Sequence, residues 1–160
     1  MTPLSLVPSE GTTPLLSVHS DLLGDLEVRP TDVFSFPKGM LGFPECRQFA
    51  LLRGARDGLY WLQSLDYSAL VFLLVDPFAV MASYSVDVEP FQVSDLGGGD
   101  PSDIGVLAIV TLPTQRGELA TINLQGPLAL NFRTRRGKQI ICTDDTHGVR
   151  CPVDLQRFVA

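Results

Sequence analysis

The stretch Ala120-Thr-Ile-Asn-Leu-Gln-Gly-Pro-Leu-Ala-Leu-Asn-Phe-Arg133 decides the fold of this 160-residue chain. Ile122 and Leu124 alternate with Thr121, Asn123 and Gln125, and Leu128, Leu130 and Phe132 alternate with Asn131 and Arg133. Successive side chains of a strand point to opposite faces, so a period of two predicts half-buried strand. Gly126-Pro127 interrupts the run. Proline lacks the N–H that a ladder needs, and the pair predicts a bulge or bend.

The same pattern continues outward. Residues 69–75 and 105–112 are continuously apolar and rich in branched side chains, as in central strands covered on both faces. Tyr84, Val86 and Val88 alternate with Ser85, Asp87 and Glu89. Arg53-Gly-Ala-Arg-Asp-Gly58 separates two apolar runs and predicts a hairpin. Residues 133–138 predict a second, with Gly137 expected to supply positive φ. No segment sustains a helical period over three turns; helix is expected only as single turns at Ser94-Asp-Leu and over residues 154–158. Short strands recurring about every ten residues predict a mainly β fold, a small antiparallel β-barrel-like single domain with minor helix. Residues 1–20, with three prolines, are expected to be a flexible leader and 21–160 the one domain.

Composition bounds the function. With 45% hydrophobic and 19% charged residues the chain can build a core without disulfides or a structural metal. The longest apolar run, 69–75, falls far short of the ~20 residues of a membrane span, and the N-terminus lacks a basic secretory start, so a cytoplasmic protein is expected. Cys46, Cys142 and Cys151 form no C-x-x-C pair and read as structural thiols. A net charge of -6 repels phosphate, so direct nucleic-acid binding is not expected of the surface as a whole. The local exception is Arg133, Arg135, Arg136 and Lys138, a basic hairpin tip and the basis of an alternative reading as an RNA-binding barrel. Base-stacking aromatics are not interleaved there: Phe132 is the nearest, and alternation puts it on the apolar face.

Signatures of catalysis and cofactor binding are missing, including the nucleophile elbow, the phosphate loop and the H-E-x-x-H zinc motif. His147 beside Asp144 and Asp145 reads as a turn histidine, and the glycine-rich stretch 97–103 as an exposed loop. No enzyme, cofactor or metal is therefore expected. The unusual feature is uncharged polar residues inside strands: Gln63, Ser64, Asn123, Gln125 and Asn131. Such amides either satisfy backbone groups at a bulge or offer donors and acceptors to a partner, and the sequence leaves both open.

Three blocks then resemble one family. They are Phe36-Pro-Lys-Gly-Met-Leu-Gly-Phe-Pro-Glu45 with Phe49-Ala-Leu-Leu52; Trp61-Leu-Gln-Ser-Leu-Asp66 with Val71-Phe-Leu-Leu-Val-Asp-Pro77 and Tyr84; and residues 120–131 with Arg136-Gly137 and Gln139-Ile-Ile141. In this order and spacing, from about Gly24 to Val153, they resemble the flagellar assembly factor FliW family. The resemblance implies a non-enzymatic, barrel-like regulator of flagellum assembly. It implies two protein partners in a switch: the translational regulator CsrA, whose repression of flagellin mRNA is antagonised away from its RNA-binding surface, and flagellin itself. Beside that resemblance, the residues themselves suggest partner-binding candidates at Gly39, Met40, Leu41, Gly42 and Phe43, at Gln63, Ser64, Asn123, Gln125 and Asn131, and at Arg136. The loop 39–43 is expected either to expose a hydrophobic anchor or to plug the barrel with Phe43. The chain departs from the family's pattern near His147, where a tyrosine is common, and in the glycine-rich stretch 97–99.

Overall fold

A computed structural model describes residues 14–80, 90–97, 101–141, 148 and 150–155. The expectations for residues 84–89, for Cys142, for His147 with its aspartates, and for most of the 154–158 turn lie outside these residues. So do residues 98–100 of the 97–103 stretch.

Among the described residues ten strands carry the fold: β1 (Leu16–Ser20), β2 (Gly24–Val28), β3 (Val33–Ser35), β4 (Gln48–Arg53), β5 (Leu59–Ser64), β6 (Val71–Val75), β7 (Ile104–Thr111), β8 (Ala120–Asn131), β9 (Arg136–Gln139) and β10 (Cys151–Val153). Strands β8-β7-β6-β5-β4-β3-β9 pair in that order, and β9 pairs back onto β8, so seven strands close into a barrel. Every pairing is antiparallel except β3 with β9, a parallel contact at Ser35 and Arg136. Among the described residues, helix is confined to four-residue turns at Pro77–Val80 and Pro90–Val93 and to 3-10 turns at Pro30–Asp32, Ser94–Leu96 and Pro101–Asp103. No described helix is long and apolar enough to cross a membrane.

Alternation decides which side chains fill the barrel. Phe34, Phe36, Phe49, Leu62, Leu74, Leu107, Leu128 and Leu130 form the interior with Met40, Cys46 and Leu70. The opposite parity forms outer clusters. Ala50 and Leu52 of β4 lie under Val18 and Val28 of the β1–β2 hairpin, beside Trp61 of β5. Leu96, from the strap of residues 90–97, covers Ala129 of β8 and Ile140. Burying each of these large apolar side chains stabilises the fold by about 1.5–3 kcal/mol.

The bend at Gly126-Pro127 makes closure possible. On one side of it Asn123 pairs with Ile109; on the other Leu128 pairs with Leu107, so Ala108 alone opposes residues 124–127. The first half of β8 pairs with β10 and the second with β9. One long strand thus turns out of one pairing into another, as a bulge allows.

Three expectations need correction. Leu16–Ser20 is not leader: it forms β1, with Val18 and Ser20 buried and each residue in register with β2. Gly137 does not take positive φ; Arg135 does, at 60°. Glycine is needed at 137 because a Cβ there would lie 2.7 Å from both Leu130 Cδ2 and Phe36 Cζ. The alternation read over residues 128–133 also fails. Residues 128–131 are all buried, because the strap covers the outer face, while Phe132 is 43% exposed. Its ring still meets Phe34 edge-to-face at 5.4 Å and lies against Gly105.

Candidate protein-docking site

The connection between β3 and β4 begins Phe36-Pro-Lys-Gly-Met-Leu-Gly-Phe-Pro, and its conformation follows from its glycines. Gly39 (φ 67°) has no room for a side chain: a Cβ would lie 2.5 Å from the Pro44 carbonyl oxygen. Met40 and Phe43 then exchange hydrogen bonds, Phe43 N–H to Met40 O at 2.7 Å and Met40 N–H to Phe43 O at 3.2 Å. Leu41 and Gly42 form the corner, with Gly42 at φ 89°, a left-handed conformation that glycine adopts without strain.

This turn serves both of the roles considered for it. Met40 is buried in the barrel interior, and half-buried Phe43 packs edge-on to Phe72 at 6.2 Å, so these two plug the barrel end. Leu41 points away, 76% exposed, the most exposed large apolar side chain described. A turn held by buried Met40 and half-buried Phe43 thus presents one apolar side chain to solvent.

The bend in β8 lies beside this tip. Asn123 Oδ1 accepts the N–H groups of Gln125 (3.0 Å) and Gly126 (2.9 Å), which the bulge takes out of the ladder. Ile140 N–H donates to Pro127 O at 2.8 Å. Gln139, half-buried at the end of β9, donates from Nε2 to Gly126 O at 2.9 Å and accepts from Leu41 N–H at Oε1 at 3.4 Å. Gln139 stands in the third family-like block but was not among the partner-binding candidates. The available signal was a polar residue on the inward parity of β9, two positions after buried Gly137.

The remaining polar candidates fall elsewhere. Gln63 shares the outer face of β5 with Trp61, fully buried, and its Nε2 donates to Ser64 O and Ser68 O. Ser64 Oγ accepts from Asp66 N–H and Tyr67 N–H, both at 3.0 Å, and shapes the β5–β6 turn. Asn131 is at the far end of β8, where its Oδ1 accepts Arg133 N–H (2.9 Å) and Thr134 N–H (3.0 Å). Arg136 is exposed on β9 opposite Asn131. The structure therefore gathers residues 39–43 with Asn123 and Gln125 around one bend, and places Gln63, Ser64, Asn131 and Arg136 apart from it. For both asparagines the backbone-satisfying reading is the one observed.

The basic hairpin tip is largely engaged within the chain. Arg133 pairs with Asp103 (3.3 Å) and donates to Gly97 O (3.2 Å), while Arg135 stacks over the Phe34 ring at 5.3 Å. Lys138 Nζ lies 3.3 Å from Asp95, which also meets Lys38 at 3.5 Å. Desolvation pulls the Asp95 carboxyl upward, but the hydrogen bond and charge of Lys138, with Lys38 behind them, outweigh it and hold the group below the ordinary aspartate value. Arg133 and Lys138, two of the four cations an RNA backbone would require, are thus paired with acids 30 or more residues away in sequence. Among the described residues no cluster of three metal-ligating side chains occurs.

Comparison with known proteins gives a consistent result. The FliW protein family model matches residues 17–153. The flagellar assembly factor FliW of Pseudothermotoga lettingae is 32% identical over 133 residues, covering 83% of this chain and 85% of that protein. The protein of the same name from Leptospira biflexa is 32% identical over 136 residues, covering 84% and 89%. A crystal structure of the flagellar assembly factor FliW superposes with a TM-score of 0.76 at 29% identity, covering 85% of this chain and 95% of the other.

Proposed function

This chain belongs to the FliW family, and on that premise we propose that it is a non-enzymatic, cytoplasmic regulator of flagellum assembly. It binds CsrA, relieving repression of flagellin mRNA, and binds flagellin in a partner switch. The observation that carries this reading is Leu41, an exposed apolar side chain on a turn whose two flanking residues are locked into the barrel. A preformed apolar side chain of this kind favours association, because little conformational entropy is lost when it docks. The net charge of -6 supports the same reading: it favours encounter with a basic RNA-binding protein and keeps RNA itself away.

The test is titration of the purified chain against CsrA and flagellin from its source organism. Wild type binds each at micromolar concentration or tighter. Leu41→Asp, a change at an exposed position, keeps the thermal midpoint and weakens binding to at least one partner about tenfold or more. Absence of binding to both partners by wild type refutes the assignment.

A further inference from the structure

The Gln139 side chain joins the exposed tip of the docking loop to the bend in β8. Its Oε1 accepts Leu41 N–H, and its Nε2 donates to Gly126 O. Gly126 makes this approach possible: a Cβ there would lie 2.8 Å from Gln139 Nε2. Within the turn, Met40 and Phe43 satisfy each other, which leaves the Leu41 N–H to look outside it. Gln139 supplies that acceptor from a position 98 residues away in sequence.

We propose that Gln139 is a positioning residue for partner docking: it fixes the Leu41-Gly42 corner against the barrel before a partner arrives. The proposal rests on the reading of Leu41 as an anchor. Barrel closure does not depend on this amide, since the β8–β9 ladder and the Phe36–Gly137 packing stand without it. Its loss therefore loosens the tip and leaves the fold intact. Holding a contact residue in its bound orientation reduces the entropy lost on association. The Leu41 bond is long, so the effect is of the size of one modest hydrogen bond.

Gln139→Met removes both hydrogen bonds at similar side-chain volume. Binding to CsrA and to flagellin is measured in a wild-type background and in a Leu41→Gly background, beside thermal melts of each variant. The expected result is about a three- to tenfold loss of affinity in the wild-type background. The thermal midpoint is unchanged, and no further loss appears when Leu41 is already absent. Amide exchange gives a partner-free readout: the Leu41 N–H exchanges faster in Gln139→Met, while the Phe43 N–H keeps its protection. Unchanged affinity, or an equal loss in both backgrounds, overturns the proposal. Wild-type affinity in Leu41→Gly alone overturns instead the anchor reading beneath it. If Gln139→Met lowers the thermal midpoint, Gly126→Ala displaces the same amide by another route, and the same cycle is read with it.

Discussion

Replacing Asn131 with alanine tests whether the strand amides serve the fold or a partner. Asn131 is fully buried, and its Oδ1 holds the N–H groups of Arg133 and Thr134 at 2.9 and 3.0 Å. Truncation leaves both donors without that acceptor. Arg133 is exposed and Thr134 only half-buried, so water reaches the turn and each lost bond costs its net value, about 0.5–1.5 kcal/mol, rather than a full burial penalty. The sum is about 1–3 kcal/mol. In urea unfolding this appears as a lower midpoint at unchanged slope, and in a melt as a drop of roughly 2–10 °C for a domain of this size. Asn123→Ala, which removes the acceptor for Gln125 N–H and Gly126 N–H, shows a loss of the same order. An unchanged unfolding midpoint together with lost CsrA or flagellin affinity refutes the reasoning, because it assigns the amide to an interface.

Two further outcomes follow from local geometry. Gly137→Ala forces a methyl group to within 2.7 Å of Leu130 and Phe36, and overpacking of this kind destabilises by about 1–3 kcal/mol, measurable by urea unfolding. A wild-type midpoint for that variant contradicts the described packing. His19 Nδ1 lies 2.7 Å from Asp25 across the β1–β2 pair, and this hydrogen bond raises the imidazole above its ordinary 6.5. The hairpin contribution is therefore complete below pH 6.5 and fades as pH rises through the higher folded value. An NMR titration of His19 shows the raised midpoint in wild type and its return toward 6.5 in Asp25→Asn; identical midpoints count against the pair.

Much of the barrel was legible in the chain. Period-two alternation over 120–125 located the first half of β8, and Gly126-Pro127 marked the bend. The apolar runs at 69–75 and 105–112 located β6 and β7, and the 53–58 turn residues joined β4 to β5. The block Gly39-Met-Leu-Gly-Phe43 was legible as a candidate anchor or plug, but not as both. Alternation cannot separate two neighbouring apolar residues when a tight turn sends one inward and the other to solvent.

Sequence alone thus determined the mainly β class, several of the strands and the family, because these depend on side-chain parity and on residues a few positions apart. Only the tertiary structure decided what each polar group does. Gln139 reaches Leu41 across 98 residues, and Lys138 and Arg133 find Asp95 and Asp103 across tens of residues. Barrel closure brings these groups together, and a local pattern carries no record of which distant strand will lie alongside. The same closure put the strap over residues 128–131 and buried both faces of a strand whose sequence reads as if one faced water.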